Sequence, residues 1–350
     1  MTSSSNALEK LPAKPRRLRQ APTKSAQPEA VGRKAPVKAF RERNCSVGRT
    51  IDAIGDGWTF MVLRECYFNV RKFEKFQDIL QLPRTTLAAR LNALTDEGLL
   101  RQVQYSDRPP RYEYALTKVG VDLYPVMLAL MSFGDKWLAG KQGKPLQLVH
   151  QACGKQCTAL VICSECREEV LPSRVSYRDG PGAGTSPVRP GRKGRRSADP
   201  TALERRRPSS VARALKVIGD RWSFMIIREG FFRIRRFDEL QTGLGIAPNI
   251  LADRLGRLVA DGVFERVKYQ SLPDRFEYKF TEKGKDLFGP LIAMLRWGDE
   301  WLSGGEPPLI LTHLDCGHDF HAVVACDQCR EALVANQMRY VMNYRDPNPQ

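Results

Sequence analysis

The stretch RTTLAARLNAL, Arg84–Leu94, sets Leu87, Leu91 and Leu94 at i, i+4 and i+7, one apolar stripe along a helix. Its other face carries Arg84, Thr85, Thr86, Ala89, Arg90 and Asn92, short or hydrogen-bonding side chains suited to a partner. The segment before it, Lys72–Leu80, is amphipathic too, with Phe73, Phe76, Ile79 and Leu80 inward. Gln81-Leu82-Pro83 separates the two, and proline suits the first turn of the helix that follows. Helix, tight turn, helix with a small polar face is the pattern of a helix-turn-helix. Plain helical bundles contain such pairs as well, so the flanks and the repetition decide.

The repetition is extensive. IGDGWTFMVLRE (Ile54–Glu65) returns as IGDRWSFMIIRE (Ile218–Glu229), 164 positions later. With that offset held, Phe73 aligns with Phe237, Leu87 with Leu251 and Arg90-Leu91 with Arg254-Leu255. Glu113-Tyr114 aligns with Glu277-Tyr278, and Trp137-Leu138 with Trp301-Leu302, without any insertion. The fold is therefore duplicated.

Each copy reads alike. A first helix spans about 46–69 (210–233 in copy two), and the helix-turn-helix follows. Then come LLRQVQY (Leu99–Tyr105), a Pro-rich turn and RYEYAL (Arg111–Leu116), short strands that make a β-hairpin. A hairpin directly after a recognition helix is a wing. Thr117 and Thr281 are placed to N-cap a last helix, 121–138 and 285–302. That helix has more apolar surface than a small winged domain buries, which predicts a helix–helix interface between domains or subunits.

At 350 residues the chain has room for about two domains. Its net charge of +17 is unevenly spread. Residues 1–43 carry eleven Lys/Arg against three Glu, and residues 172–208 carry ten against three acidic residues, so these segments account for 15 of the 17. Basic arms of this kind favour polyanions such as nucleic acid. No apolar run reaches the roughly 18 residues that cross a membrane. The N-terminus lacks a secretory apolar segment. A cytoplasmic, nucleoid-associated protein is expected.

Seven of nine cysteines and all four histidines fall in two short segments, which points to metal rather than disulfides. His150-x-x-Cys153-Gly154 precedes Cys163-x-x-Cys166, and His313-x-x-Cys316-Gly317 precedes Cys326-x-x-Cys329, with the inner cysteines ten positions apart both times. Two turns offering two ligands each can close a tetrahedral site of one histidine and three cysteines, and thiolate with imidazole suits zinc. The expectation is one structural Zn2+ per segment, two per chain. His150, Cys153, Cys163 and Cys166 would hold one; His313, Cys316, Cys326 and Cys329 would hold the other. Such an ion would stabilise a hairpin with almost no core. Cys157, His318 and His321 are alternative ligands, and redox CxxC motifs or unmetallated thiols are the competing reading.

The fold class expected is α+β: two winged helix-turn-helix domains in tandem, each followed by a small Cys/His zinc-ribbon-like module. The boundaries are a disordered basic tail at 1–43, winged domains at 44–140 and 208–304, modules at 145–171 and 308–340, and a flexible basic linker at 172–207.

W-x-F-M-x-x-R-E (Trp58–Glu65), R-L-x-x-L-x-x-x-G (Arg90–Gly98) and a wing closing on R-[YF]-E-Y together resemble the HxlR-type winged-helix transcriptional regulators. The resemblance covers about 44–138 and again about 208–302. It implies a bacterial family of mostly single-domain proteins that bind operator DNA as homodimers through their terminal helices. It therefore implies that this chain is its own pseudo-dimer, or that two chains assemble, through helices 121–138 and 285–302. Some members carry an oxidant-sensing cysteine ahead of the first helix; Cys45 matches that place, whereas copy two has Ser209. Cys66, on an apolar helix, reads as core.

For double-stranded DNA, Arg84 is placed to read guanine or clamp a phosphate, and Asn249 to pair with adenine or cap its helix. Thr85 and Thr86 permit close approach. Arg90 and Arg254, each beside a core leucine, divide between an internal ion pair and a phosphate contact. Arg257 is a further candidate. Arg108 and Arg111 stand at the wing tip, in reach of a minor groove, where copy two has Leu272 and Arg275. Ala89 is replaced by Asp253, so two unlike half-sites are expected. The function expected is sequence-specific transcriptional regulation, as a repressor. The alternative is a DNA-binding architectural or interaction protein without sequence preference. No Ser/His/Asp arrangement, phosphate-cradling glycine loop or carboxylate pair suggests an enzyme.

Overall fold

The computed structural model describes residues 41–187, 204 and 207–344. After a short strand β1 (Arg41–Arg43), copy one runs α1 (Ser46–Ile54), α2 (Gly57–Tyr67), α3 (Phe73–Leu80), α4 (Arg84–Asp96), β2 (Leu100–Asp107), β3 (Pro110–Leu116), α5 (Lys118–Asp122) and α6 (Tyr124–Trp137). Strands β4 (Leu146–His150), β5 (Gln156–Cys157), β6 (Ala159–Cys163), β7 (Val175–Asp179) and β8 (Thr185–Pro187) follow. Copy two repeats the order as α7 (Ser210–Ile218), α8 (Arg221–Phe231), α9 (Phe237–Leu244), α10 (Pro248–Ala260), β9 (Phe264–Ser271), β10 (Asp274–Phe280), α11 (Glu282–Lys285) and α12 (Phe288–Leu302). It ends with β11 (Leu309–His313), β12 (Asp319–Phe320), β13 (Ala322–Cys326) and β14 (Met338–Met342).

The helix-turn-helix stands where the apolar stripe places it, with Leu87, Leu91, Leu94 and Phe76 fully buried. The single first helix expected at 46–69 is instead two. Asp56 stops α1 from continuing by standing in extended backbone, where its carboxylate accepts from the Thr59 amide at 3.1 Å and the Thr59 hydroxyl at 3.0 Å. Asp220 does the same for α8 with the amides of Trp222 and Ser223. Such a side chain answers the orphan amides of a helix start. The last helix is likewise divided, at Leu123 and Leu287. Thr117 and Thr281 cap the short pieces before it, accepting from Gly120 and Gly284. Cys66 is buried, and burial pushes its thiol well up.

The two copies pack on each other. α1 lies on α12, α6 lies on α7, and α6 touches α12. The contacts are reciprocal, as in a two-fold interface. Trp137 Nε1 donates to Asp286 at 2.6 Å and Trp301 Nε1 to Asp122 at 2.8 Å. Ser46 Oγ donates to Asp299 at 2.5 Å, and Ser210 Oγ donates to Asp135. Close approach here depends on glycine: a Cβ on Gly134 would stand 2.0 Å from the Ser210 carbonyl oxygen, and one on Gly298 would stand 2.5 Å from that of Ser46.

Beyond the winged domains the strands of the two copies alternate. β4 pairs with its own β5 and with β14 of copy two; β11 pairs with its own β12 and with β7 of copy one. β6 pairs with β13, so that Cys163 stands opposite Ala322 and Cys326 opposite Ala159. Residues 172–187, expected as the start of a flexible linker, instead form a 3-10 turn at Pro172–Arg174 and strands β7 and β8. They are ordered because β11 and β1 satisfy their backbone groups; Arg41–Arg43, expected within the disordered tail, pairs with β8. The modules expected at 145–171 and 308–340 are therefore not separate bodies. The remaining tail and linker expectations, at 1–40, 188–203, 205 and 206, lie outside the described residues.

Gly298→Ala is expected to force the α1 and α12 backbones apart and lower stability by about 1–3 kcal/mol, read by urea unfolding. A second outcome concerns pH, since burial pushes the Asp299 carboxyl up to about 6. Its proton is bound more tightly folded than unfolded, so this group adds stability as pH falls from about 6 toward the ordinary carboxyl range near 4. Asp299→Asn removes that component; an unfolding free energy with unchanged pH dependence would contradict the assignment.

Candidate nucleic-acid interface and metal centres

Each winged domain presents one helix and one hairpin. On α4, Arg84, Thr85, Ala89 and Asn92 are exposed or partly exposed and Thr86 faces outward beside them. The Arg84 guanidinium lies over the half-buried Phe73 ring at 4.9 Å, which holds it at the head of the helix. On α10, Pro248, Asn249, Ala252, Asp253 and Arg257 lie on the outward face. Arg257 reaches Asp253 at 3.2 Å, so the added acid partly neutralises copy two's outward face. Arg108, Arg111 and Arg275 are exposed on the wings, and Leu272 is 89% exposed at the second wing tip.

Arg90 and Arg254 are placed differently. Arg90 is buried, and its Nε donates to Asp56 at 3.0 Å while its Nη2 meets the other carboxylate oxygen. Arg254 Nε donates to Asp220 at 3.0 Å and its Nη1 pairs with Asp253. The structure shows the internal ion pair of the two readings: each side chain clamps α4 or α10 to the capping carboxylate of α2 or α8. The charge is internal because that carboxylate would otherwise be buried with too few donors. Two further cations escape a reading of the sequence alone. Lys72 lies 5.0 Å over the wing ring of Tyr105, and Arg236 lies 4.7 Å over that of Tyr269. Their shared offset in the two copies is the available signal.

Cys45 heads α1 without a side-chain capping bond and is half-buried. It lies beside the buried guanidinium of Arg228, whose charge is disfavoured by burial but held by Cys45 and Glu229. In copy two, Ser209 instead caps α7 through the Ala212 amide at 3.2 Å.

The Cys/His segments yield two donor quartets, and their membership differs from the expectation. His150 and Cys153 meet Cys326 and Cys329; Cys163 and Cys166 meet His313 and Cys316. Within each quartet the donor atoms all lie within 4.8 Å of one another. The expected within-module sets fail because the antiparallel register of β6 on β13 sets Cys326, opposite Ala159, at the end of the ribbon away from Cys163. Cys153 Sγ lies 3.9 Å from Cys326 Sγ and 3.6 Å from His150 Nδ1, and Cys329 Sγ is 3.3 Å from that nitrogen. The second quartet gives 4.0 Å for Cys163–Cys316, 3.6 Å for Cys316–His313 and 3.3 Å for Cys166–His313. A tetrahedron with metal–sulfur bonds of about 2.3 Å and a metal–nitrogen bond of about 2.0 Å has edges of about 3.5–3.8 Å. The donors fit a zinc-sized ion.

The turns that carry these donors have a recurrent geometry. Glu165 and Gln328 amides point at Cys163 and Cys326 Sγ, both at 3.4 Å. Gly154 and Gly317 close the His-x-x-Cys turns at φ 71 and 73, and Arg167 and Arg330 close the Cys-x-x-Cys turns at φ 65 and 62. Cys316 is pulled down to about 6, first by the His318 amide, while burial raises Cys163 to about 11. A cation ligated by the thiolate would offset that desolvation. Cys157 borders the first quartet beside Cys326 and Asp327, whereas His318 and His321 are exposed and belong to neither.

Residues 53–142 and 217–306 match the family described as HxlR-like helix-turn-helix. An uncharacterized HTH-type transcriptional regulator of Mycobacterium tuberculosis is 41% identical over 137 residues, covering 39% of this chain and 87% of that one. One from Synechocystis sp. is 34% identical over 95 residues, covering 27% and 70%. Among solved structures, PA1607, described as a candidate transcription factor, is 38% identical with a TM-score of 0.35, covering 38% of this chain and 94% of that one. PA1374 of Pseudomonas aeruginosa, described likewise, is 40% identical with a TM-score of 0.23, covering 27% of this chain and 64% of that one.

Arg90→Ala leaves the Asp56 carboxylate largely buried without its cation and costs about 3 kcal/mol of stability in urea unfolding. Arg84→Ala, at an exposed site, changes stability by no more than about 0.5 kcal/mol. Equal costs at the two positions would contradict the division between clamp and reading face.

Proposed function

The chain belongs to the HxlR-like helix-turn-helix family, and from that premise we propose a sequence-specific repressor in which one chain supplies both reading heads. It is a DNA-binding transcriptional regulator, of a family that is not one of enzymes. No helix among the described residues is long and apolar enough to cross a membrane. The observation that carries the proposal is the pair of outward faces on α4 and α10, each beside its own wing.

In this reading Arg84, Thr85, Thr86 and Asn249 approach base edges, while Arg257 and the stacked Lys72 and Arg236 contact phosphate. Arg108, Arg111 and Arg275 reach the flanking minor groove from the wings. The reciprocal packing of α1, α6, α7 and α12 supports an intramolecular pseudo-dimer, which presents two heads in fixed relation. Occupation of an operator by both heads would exclude polymerase. Each donor quartet holds a structural Zn2+, two per chain, because soft thiolates with one imidazole at tetrahedral spacing suit that ion. The alternative of non-specific architectural binding draws on the basic segments at 1–43 and 172–208.

Selection from a random duplex pool tests the proposal. The expected product is an asymmetric site with two unlike half-sites, and Arg84→Ala should weaken binding to it about tenfold or more at one half-site only. Recovery of a strict palindrome would contradict unlike heads. Absence of any enrichment, with a steep salt slope, would favour the architectural reading.

A further inference from the structure

Resting on the zinc reading above, we infer that each ion is shared between the two repeats, so that the pair of ions cross-links the halves of one chain. His150 and Cys153 of copy one hold the first ion with Cys326 and Cys329 of copy two. Cys163 and Cys166 hold the second with His313 and Cys316.

Strand register compels this partition. Cys163 and Cys326 are the last residues of β6 and β13, which run antiparallel in a five-residue ladder. Their positions are therefore at opposite ends of the ribbon, about 13 Å apart at the usual rise per residue. One ion cannot take both Cys-x-x-Cys turns. Each turn instead faces a His-x-x-Cys turn delivered by the other copy. β4 brings His150 to one end of the ribbon and is held there by β14; β11 brings His313 to the other end and is held by β7. Hydrogen bonds join the turns across the repeats as well. The Asp327 amide donates to the Thr158 carbonyl at 3.2 Å, the Ser164 amide to that of His321 at 3.2 Å, and Arg167 Nη2 to the Arg330 carbonyl at 2.7 Å. A site built this way exists only when the repeats are docked. Ion binding and docking are one equilibrium, and a ligand lost from either repeat empties a centre that serves both.

Metal content of the full chain, measured by native mass spectrometry, separates the possibilities. The wild type and Cys157→Ser, which alters no quartet, should each carry two zinc ions. Cys153→Ser and Cys326→Ser should each carry one, and so should the double variant, since both residues serve the same ion. Cys153→Ser combined with Cys163→Ser should carry none. The reverse pattern, none for 153 with 326 and one for 153 with 163, would overturn the sharing while leaving zinc binding intact. A wild type without bound zinc would sink the zinc reading itself. Cadmium loaded into the unsubstituted chain gives a second measure: scalar coupling from one cadmium nucleus to β-protons of Cys153, Cys326 and Cys329 supports sharing. Coupling from one nucleus to Cys153, Cys163 and Cys166 would refute it.

Discussion

Ser46 and Ser210 each place a hydroxyl on a carboxyl of the other repeat, the half-buried Asp299 and the buried Asp135. Carboxyls in such positions lose hydration, and the raised proton affinity of both reflects that loss. What compensates is local: the serines open α1 and α7, so each carboxyl meets a hydroxyl and the positive end of a helix. Gly134 and Gly298 allow the approach. With that contact in place, the first helix of each copy is fixed against the last helix of the other. The second helix, and through Asp56 or Asp220 the recognition helix, then takes its position from the first. The placement of α4 and α10 thus depends in part on a carboxyl of the other repeat.

Much of this is legible in the sequence, and unevenly so. The helix-turn-helix follows from Leu87, Leu91 and Leu94 because a stripe at helical spacing has one stable burial. The break before α2 has a weaker signal, an aspartate three residues ahead of Thr59 or Ser223, easily lost inside a long apolar run. Arg90 and Arg254 stay undecided in the sequence because their partners lie 34 positions away, at the start of a helix that the apolar pattern does not separate from α1 or α7. The candidate metal ligands are identifiable by type and spacing, but their partition is not. Two segments with the same spacing allow either grouping, and only the register of β6 on β13 distinguishes them.

The repeats are not equally constrained over their surfaces. Residues that face the other copy come in matched pairs: Ser46 and Ser210, Asp122 and Asp286, Gly134 and Gly298, Asp135 and Asp299, Trp137 and Trp301. A reciprocal interface repeats each contact, so a change in one member makes its contact differ from the equivalent one. Outward positions have diverged: Arg84 faces Pro248 in the alignment, Ala89 faces Asp253, and Arg108 faces Leu272. Cys45 and Ser209 differ at a helix start, and there the two copies cap or leave open the same turn with different chemistry.

The alternating strands also have a consequence for how the chain is made. Synthesis delivers His150, Cys153, Cys163 and Cys166 with the first repeat, yet none of them has its complement until residues 313–329 have emerged. Through that interval β4, β6 and β7 hold open edges that only β14, β13 and β11 can close. Such contacts, separated by well over a hundred residues, form late because long loops must close first. The first repeat therefore waits as a half-zipped partner, exposed to pairing with the wrong chain when copies are crowded on one message. The tether of the second repeat sets the local concentration that makes the correct strand arrive first.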